Sequence, residues 1–340
     1  GGGGRLVLGR PPLARVCSPA GCLGRRRCMA DRALAEWAAG GRDARPHRGG
    51  AEARRARRGR VRDRREARAM AMALMLRHQR VGVVAAGNID LRAFYSKWAH
   101  GFAVSEITTH GQQHSLQFFD VSGVAIHKIY LRENSNVQAY QSLVEQFLDG
   151  EQQPGLYTEH LAPKQPEQAD QLIDVQALHH AWASLRDTHD FFALLKTHGV
   201  SRVQALRLAQ PKFVQQVHCA DVLRVLTAAA AREIPLMVFV GNHGMLQIHS
   251  GPIQKVLYAR PWLNVLDVSF NLHLRMDHIE TAWIVRKPTV DGLVTSFEVF
   301  DAQGDAIAML FGLRKPGQQE LPAWRGLLDE IQETQQALAA

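Results

Sequence analysis

The sequence predicts an α+β protein made of a tandem repeat, two units of antiparallel β-sheet with helices between them. Two observations carry that prediction. The chain repeats itself without a gap at a constant offset of 181 residues. Strand-like runs come in groups, and helical stripes are segregated from them. A third observation bounds the repeat: composition changes abruptly near residue 80, so the two units cannot be complete copies of each other.

The repeat pairs residues 89–132 with 270–313. Leu91 falls on Leu272, Val104 on Val285, Ser115 on Ser296, Phe119-Asp120 on Phe300-Asp301, and Gly123 on Gly304. Phe102 matches Trp283 and Tyr130 matches Phe311. After an insertion of three residues, the stripe Tyr140, Leu143, Val144, Phe147 answers Trp324, Leu327, Leu328, Ile331. Tandem units of this kind tend to leave a cleft at their junction, and clefts hold ligands.

Residues 1–80 form an Arg/Ala/Gly-rich head with 21 Arg, no Lys and 6 acids, and with no Phe, Tyr, Ile, Asn or Thr. So few core formers cannot offset the entropy of ordering, which predicts disorder, with at best a loose helix around 69–76. The first unit's opening strands belong near 54–69, where the chain reads Arg-Arg-Ala-Arg-Arg-Gly-Arg. The head therefore reads as a shifted frame or misplaced start rather than evolved coding sequence. The first repeat, N-terminally incomplete, is expected over 81–150. Strands are predicted at 114–119 and 124–130, a turn at 120–123, and a helix over 137–148 capped from Asn134-Ser135-Asn136. A linker and helical section follows over 151–233. Val175, Leu178, Trp182 and Leu185 share a helix face there, Asp187-Thr188 offers an N-cap to a short helix 189–197, and a further helix covers about 219–232. The second repeat spans 234–340, with strands near 235–240, 244–249, 264–267, 270–274, 281–286, 293–300 and 305–311 and a closing helix 322–337.

Charge separates the head from the rest. Residues 81–340 hold 20 basic and 26 acidic side chains, mildly acidic and no platform for nucleic acid. The head alone offers a nucleic-acid reading. Three of the 4 cysteines (Cys17, Cys22, Cys28) lie in the head and only Cys219 beyond it, which argues against a disulfide scaffold and fits a reducing cytosol. No apolar run approaches a membrane span, and the Gly-Gly-Gly-Gly-Arg start lacks a secretory layout.

Enzyme templates fail one after another. There is no dinucleotide or phosphate-cradling glycine motif and no Gly-x-Ser-x-Gly elbow. His179, His180, His243 and His249 have no zinc-like spacing and read as surface or strand histidines. His189 differs in its setting, at the start of a capped helix and followed by Phe191-Phe192 and Leu194-Leu195. An imidazole beside apolar walls is what a haem pocket requires, although a helix-start histidine in a core is the commoner meaning.

The stretch Asp187-Thr188-His189-Asp190-Phe191-Phe192 resembles the proximal-histidine segment of the HemS/HmuS/PhuS family, bacterial cytoplasmic haem-handling proteins. So do Ile89-Asp90-Leu91-Arg92-Ala93-Phe94, His114-Ser115-Leu116-Gln117-Phe118-Phe119-Asp120, Phe239-Val240-Gly241-Asn242, Arg286-Lys287-Pro288-Thr289 and Arg314-Lys315-Pro316-Gly317. The similarity covers about 81–320. It implies haem b (iron protoporphyrin IX) held in a cleft between the halves, with His189 as axial ligand to the iron. It implies Arg92 and Phe94 on the distal side, and Lys287 and Arg314 holding propionates; the last two also suit strand-edge salt bridges. It implies a cytoplasmic protein, monomer or dimer and not membrane-inserted, that accepts haem from an ABC importer and passes it to a haem oxygenase. The alternative is an enzyme that opens the porphyrin and releases iron. The chain departs from the family pattern in its head, at Phe311 where Tyr is expected, and at His243 where Arg is usual.

Overall fold

In a computed structural model of the chain, the described residues are 14–15, 58–59, 81–86, 88–109, 111–133, 135–149, 158–160, 162–315 and 317–339. The expected helix around 69–76, Cys17, Cys22, Cys28 and the capping candidate Asn134 lie outside them. Two dipeptides of the head carry strand pairing, β1 (Ala14–Arg15) and β2 (Arg58–Gly59). The chain divides into two compact units: the first contains 60–162 and 242–245, the second 48–59, 163–241 and 246–340. The helical section thus belongs with the second repeat.

In the first unit, β3 (Val81–Ala86) and β4 (Ile89–Phe94) form a hairpin in register from Val81↔Phe94 to Ala86↔Ile89. Strand alternation buries Ile89, Leu91 and Ala93, so Arg92 and Phe94 share the opposite face. A 3₁₀ turn over Tyr95–Lys97 leads into a meander of β5 (His100–Thr108), β6 (Gly111–Phe119) and β7 (Ala125–Tyr130), with sheet order β1-β5-β6-β7. The β6–β7 turn closes on Asp120, whose Oδ1 accepts from the N–H of Ser122 and of Val124, both at 2.9 Å, while Gly123 takes φ 82°. Helix α1 (Val137–Phe147) starts where the Asn136 side chain accepts from Ala139 N–H at 2.9 Å, and it buries Tyr140, Leu143 and Phe147.

The second unit begins with three short helices, each started by a local hydrogen bond. Asp174 caps α2 (Val175–Ala183). Asp187 holds the entry to α3 (Asp190–Thr197), and Ser201 caps α4 (Arg202–Leu208). Strand β8 (Val214–Val217) and α5 (Asp221–Ala231) follow. The strands are β9 (Leu236–Asn242), β10 (Met245–Gly251), β11 (Val256–Ala259), β12 (Trp262–Leu266), β13 (Phe270–Arg275), β14 (Thr281–Thr289), β15 (Gly292–Phe300) and β16 (Ala306–Gly312). They lie in the orders β10-β9-β16-β15-β14-β8 and β11-β12-β13-β2. Leu178, Trp182, Phe191, Leu206, Val285 and Phe300 make one core between the helices and the sheet. Each such side chain contributes about 1.5–3 kcal/mol by burial. Helix α6 (Pro322–Ala339) buries Trp324, Leu327, Leu328 and Ile331, the stripe that the repeat predicts.

Strand bounds reproduce the offset. β4 and β13, the 3₁₀ turns Tyr95–Lys97 and Met276–His278, β5 and β14, and β6 and β15 all stand 181 residues apart. The register slips at the same place, between Phe118 and Phe119 in one unit and Val299 and Phe300 in the other. Asp301 repeats the turn chemistry of Asp120, accepting from Gln303 N–H at 3.0 Å and Asp305 N–H at 2.9 Å. The structure also holds elements that the sequence pattern does not resolve: β3, β4, β5, β8, β11 and α4. Polar residues at one end blur the pattern in β5 (Ser105-Glu106), and β8 and β11 are only four residues long.

Candidate functional site

His189 occupies the position before the first helical residue of α3, with φ −71° and ψ −26°, and no side chain caps the helix from there. The expected helix over 189–197 therefore starts one residue later. Asp187, expected as the cap itself, instead binds His189 twice through one oxygen. Its Oδ1 accepts from the backbone N–H at 2.8 Å and from the ring Nδ1 at 2.6 Å. Those hydrogen bonds, to the backbone and then the ring, hold the Asp187 carboxyl below the usual carboxylate range, and the nearby Arg314 adds to the effect. An ionised carboxylate only accepts, so the proton of a neutral imidazole sits on Nδ1 and the Nε2 lone pair is open. The ring is 86% exposed. Phe192, three residues on and on the same helix face, is exposed as well.

Beneath that exposed face the helix is anchored by Phe191. Its ring meets Trp182 edge-on at 4.8 Å, and Trp182 Nε1 donates to Arg286 O on β14 at 3.0 Å. On the other side Phe191 carries two cations, the Arg202 guanidinium at 5.0 Å and the Lys287 ammonium at 4.6 Å. Both cations converge on Glu298. Arg202 grips it bidentately at 2.7 Å, Lys287 Nζ donates to Oε1 at 3.0 Å, and Ser296 Oγ donates at 2.7 Å. Burial alone would raise the Glu298 carboxyl, but Arg202 and Lys287 override it and hold it far below its usual range. Burial pushes the Lys287 ammonium down to about 8. Lys287 is thus a fully enclosed side chain with a partner, and strand parity explains it: Lys287 lies two residues from Val285 and points the same way into the core.

Arg314 sits apart from that cluster. Its Nη1 donates to Asp291 Oδ2 at 3.3 Å and to Gln318 O at 3.1 Å. Asp291 lies in the β14–β15 turn, and the next-door Val290 N–H donates to Arg186 O at 2.9 Å. The turn therefore braces the segment that leads to His189, which brings His189, Asp187, Arg314 and the exposed Val290 into one neighbourhood of the second unit.

Arg92 and Phe94 lie on β4 of the first unit. Arg92 Nη2 pairs with Asp90 at 3.1 Å, while its buried Nε has no hydrogen-bond partner among the described residues. Of the remaining histidine candidates, His180 is exposed on α2 and the other three take structural places. His179 bonds Leu208 O at 2.7 Å, and His243 pairs with Asp120 at 2.9 Å. His249 stacks on Phe270 at 3.9 Å, and burial pushes its ring down to about 4. Among the described residues no group of three His, Cys, Asp or Glu side chains converges on a metal position. No helix of the described residues is long and apolar enough to cross a membrane. Asp187 as a partner of the imidazole is what sequence reasoning missed; an Asp two residues before a His is the signal.

Comparison with known proteins gives a consistent pattern. The haemin-degrading HemS/ChuX domain matches residues 71–147 and 199–331. The hemin transport protein HemS of Yersinia enterocolitica is 41% identical over 247 residues, 72% of this chain and 69% of its own. The hemin transport protein HmuS of Yersinia pestis is 40% identical over 237 residues, 70% of this chain and 68% of its own. Among solved structures, holo-PhuS, a heme-binding protein from Pseudomonas aeruginosa, superposes with a TM-score of 0.71 at 45% identity, covering 73% of this chain and 72% of that one. ChuS, described as an Escherichia coli heme oxygenase, gives 0.67 at 34% identity over 75% of each chain.

Proposed function

The chain belongs to the haemin-degrading HemS/ChuX domain family, and we propose that it binds haem through His189 and carries it as cargo to a haem oxygenase. One observation carries the reading: an imidazole whose Nδ1 is held by a carboxylate, whose Nε2 is open, and which stands 86% exposed beside an exposed phenylalanine. Metal-ligating histidines commonly have this second contact, and a porphyrin needs an apolar wall next to the ligand. The relatives' names agree, since they are described as hemin transport and heme-binding proteins.

The placements support a role for each residue. Arg314, partly solvent-accessible and close to Asp187, is the propionate-holding cation. Lys287 cannot reach a propionate without abandoning Glu298, so its assigned part is to stiffen α3 from below through Phe191. Arg92, with a buried donor to spare, and Phe94 take the distal-side role that the family pattern implies. When bound, haem itself supplies any oxygen chemistry, and the protein supplies binding, orientation and electrostatics. A single side-chain ligand on an exposed helix start suits release to a partner.

One of the similar solved structures is described as a heme oxygenase, so the competing outcome is degradation. Purified haem-loaded protein is given an electron donor with catalase present. A carrier keeps its haem spectrum and loses it only when an oxygenase is added. Loss of the Soret band without the oxygenase makes the protein an enzyme and overturns the carrier reading.

A further inference from the structure

We infer that Asp187 is a positioning residue for the haem ligand: it fixes the tautomer and orientation of His189 and makes the imidazole a stronger donor to ferric iron. This rests on the reading of His189 as the ligand. The geometry is specific. A single oxygen, Asp187 Oδ1, accepts both the backbone N–H of His189 at 2.8 Å and its ring Nδ1 at 2.6 Å. The two bonds tie the ring to its own backbone, so an imidazole that is 86% exposed and otherwise has only rotamer preferences to hold it is locked in one direction. A carboxylate has no proton to give, so Nδ1 carries it and Nε2 is the atom left for a metal. Charge on the carboxylate also pushes electron density into the ring, which favours the more positive of two iron states. The Asp187 segment is itself braced, because Val290 N–H of the β14–β15 turn donates to Arg186 O at 2.9 Å.

The rival explanation is that Asp187 only satisfies an open backbone N–H at the start of α3, as N-cap residues do. Asp187→Asn separates the two. Asparagine keeps an oxygen for the backbone N–H and caps helices as well as aspartate, but it carries no charge. The first arm uses haem-free protein with ¹⁵N-labelled histidine at a pH where the ring is neutral. Wild type shows His189 with its proton on Nδ1, and Asp187→Asn shifts the population toward the Nε2-protonated form. The second arm uses haem-loaded protein. Asp187→Asn weakens ferric haem binding about tenfold, the lower end of what loss of such a partner does, with ferrous binding little changed. That fold-change corresponds to a rise of about 59 mV in the iron midpoint potential for one electron. Denaturant unfolding of the variant is unchanged within about 0.5 kcal/mol, since the cap survives. An unmoved tautomer together with an unmoved potential overturns the positioning role and leaves Asp187 a cap. If instead His189→Ala binds haem as wild type does, the ligand assignment fails, while the haem-free arm still reports whether Asp187 sets the tautomer.

Discussion

Where the two repeats overlap, from β4 and β13 onward, they share strands, turns and a register slip, yet among the described residues the sheet of the second encloses an ion cluster that the first lacks. At the position of Lys287 the first unit has Glu106, exposed near a hairpin end, and at the position of Glu298 it has Gln117, buried and donating to Ser115 Oγ at 3.0 Å. The partner serine is retained, as Ser115 and Ser296. A neutral hydrogen-bonded pair in one unit has thus become, in the other, a carboxylate held by Arg202 and Lys287 directly beneath the helix that presents His189. The fold depends on what the repeats share: inward apolar residues at period two and the Asp-Gly turns. The site depends on where they differ.

The largest test of that contrast removes the carboxylate. Glu298→Ala leaves the buried Lys287 and the partly exposed Arg202 without their shared counter-charge, and a broken buried ion pair costs about 3–5 kcal/mol. Gln117→Ala, at the matching place, removes only a neutral hydrogen bond and some packing, and costs about 1–2 kcal/mol. Urea unfolding of both variants checks this, and equal losses would mean that the two positions are equivalent after all. A smaller effect follows from Lys287. Its ammonium is pushed from 10.5 to about 8 by burial, so between pH 8 and 10.5 the unfolded chain binds more protons than the folded one. Wild-type stability therefore gains from this residue as pH rises through that window, by up to a few kcal/mol at about 1.4 kcal/mol per pKa unit. Lys287→Met removes the gain, and measuring unfolding of both proteins from pH 7.5 to 10.5 reveals whether the curves converge. The smallest effect concerns the turns. Asp120 and Asp301 hold equivalent turns, but Asp120 is buried and also pairs with His243 at 2.9 Å. Asp120→Asn is expected to cost about 1–2 kcal/mol and Asp301→Asn about 0.5–1 kcal/mol, and matched thermal melts rank them.

Much of this arrangement was legible in the sequence, for physical reasons that can be named. The repeat is gapless from Ile89 to the end of β15, so a match of residue types at one offset was also a match of strand positions. Tyr140, Leu143 and Phe147, and Trp324, Leu327, Leu328 and Ile331, are buried because a helical stripe has one face to hide. The α+β class followed from those patterns and agrees with the fold, while the resemblance to haem-handling proteins rested on segments such as Asp187–Phe192 and agrees with the relatives. Lys287 shows where legibility ended. A lysine in a strand reads as a surface cation unless its partner is known, and Glu298 and Arg202 lie 11 and 85 positions away, on other elements. The parity with Val285 points Lys287 inward, but parity alone does not say which acid would meet it there. Asp187 was hidden differently, because one residue pattern serves both a helix cap and a partner for an imidazole. Residues 1–80 offer no alternation or stripe to read, and nearly all of them lie outside the described residues.

Everything proposed for the site rests on haem attaching at the open imidazole of the second unit. The most direct test of that attachment is a ferric haem titration of wild type beside His189→Ala, followed by the Soret band and by the spin state of the loaded protein. Wild type is expected to bind one haem per chain, and the variant to show an affinity lowered at least about tenfold, equivalent to about 1.4 kcal/mol, with an altered spin state. Identical affinity and spectra in the two proteins would contradict it.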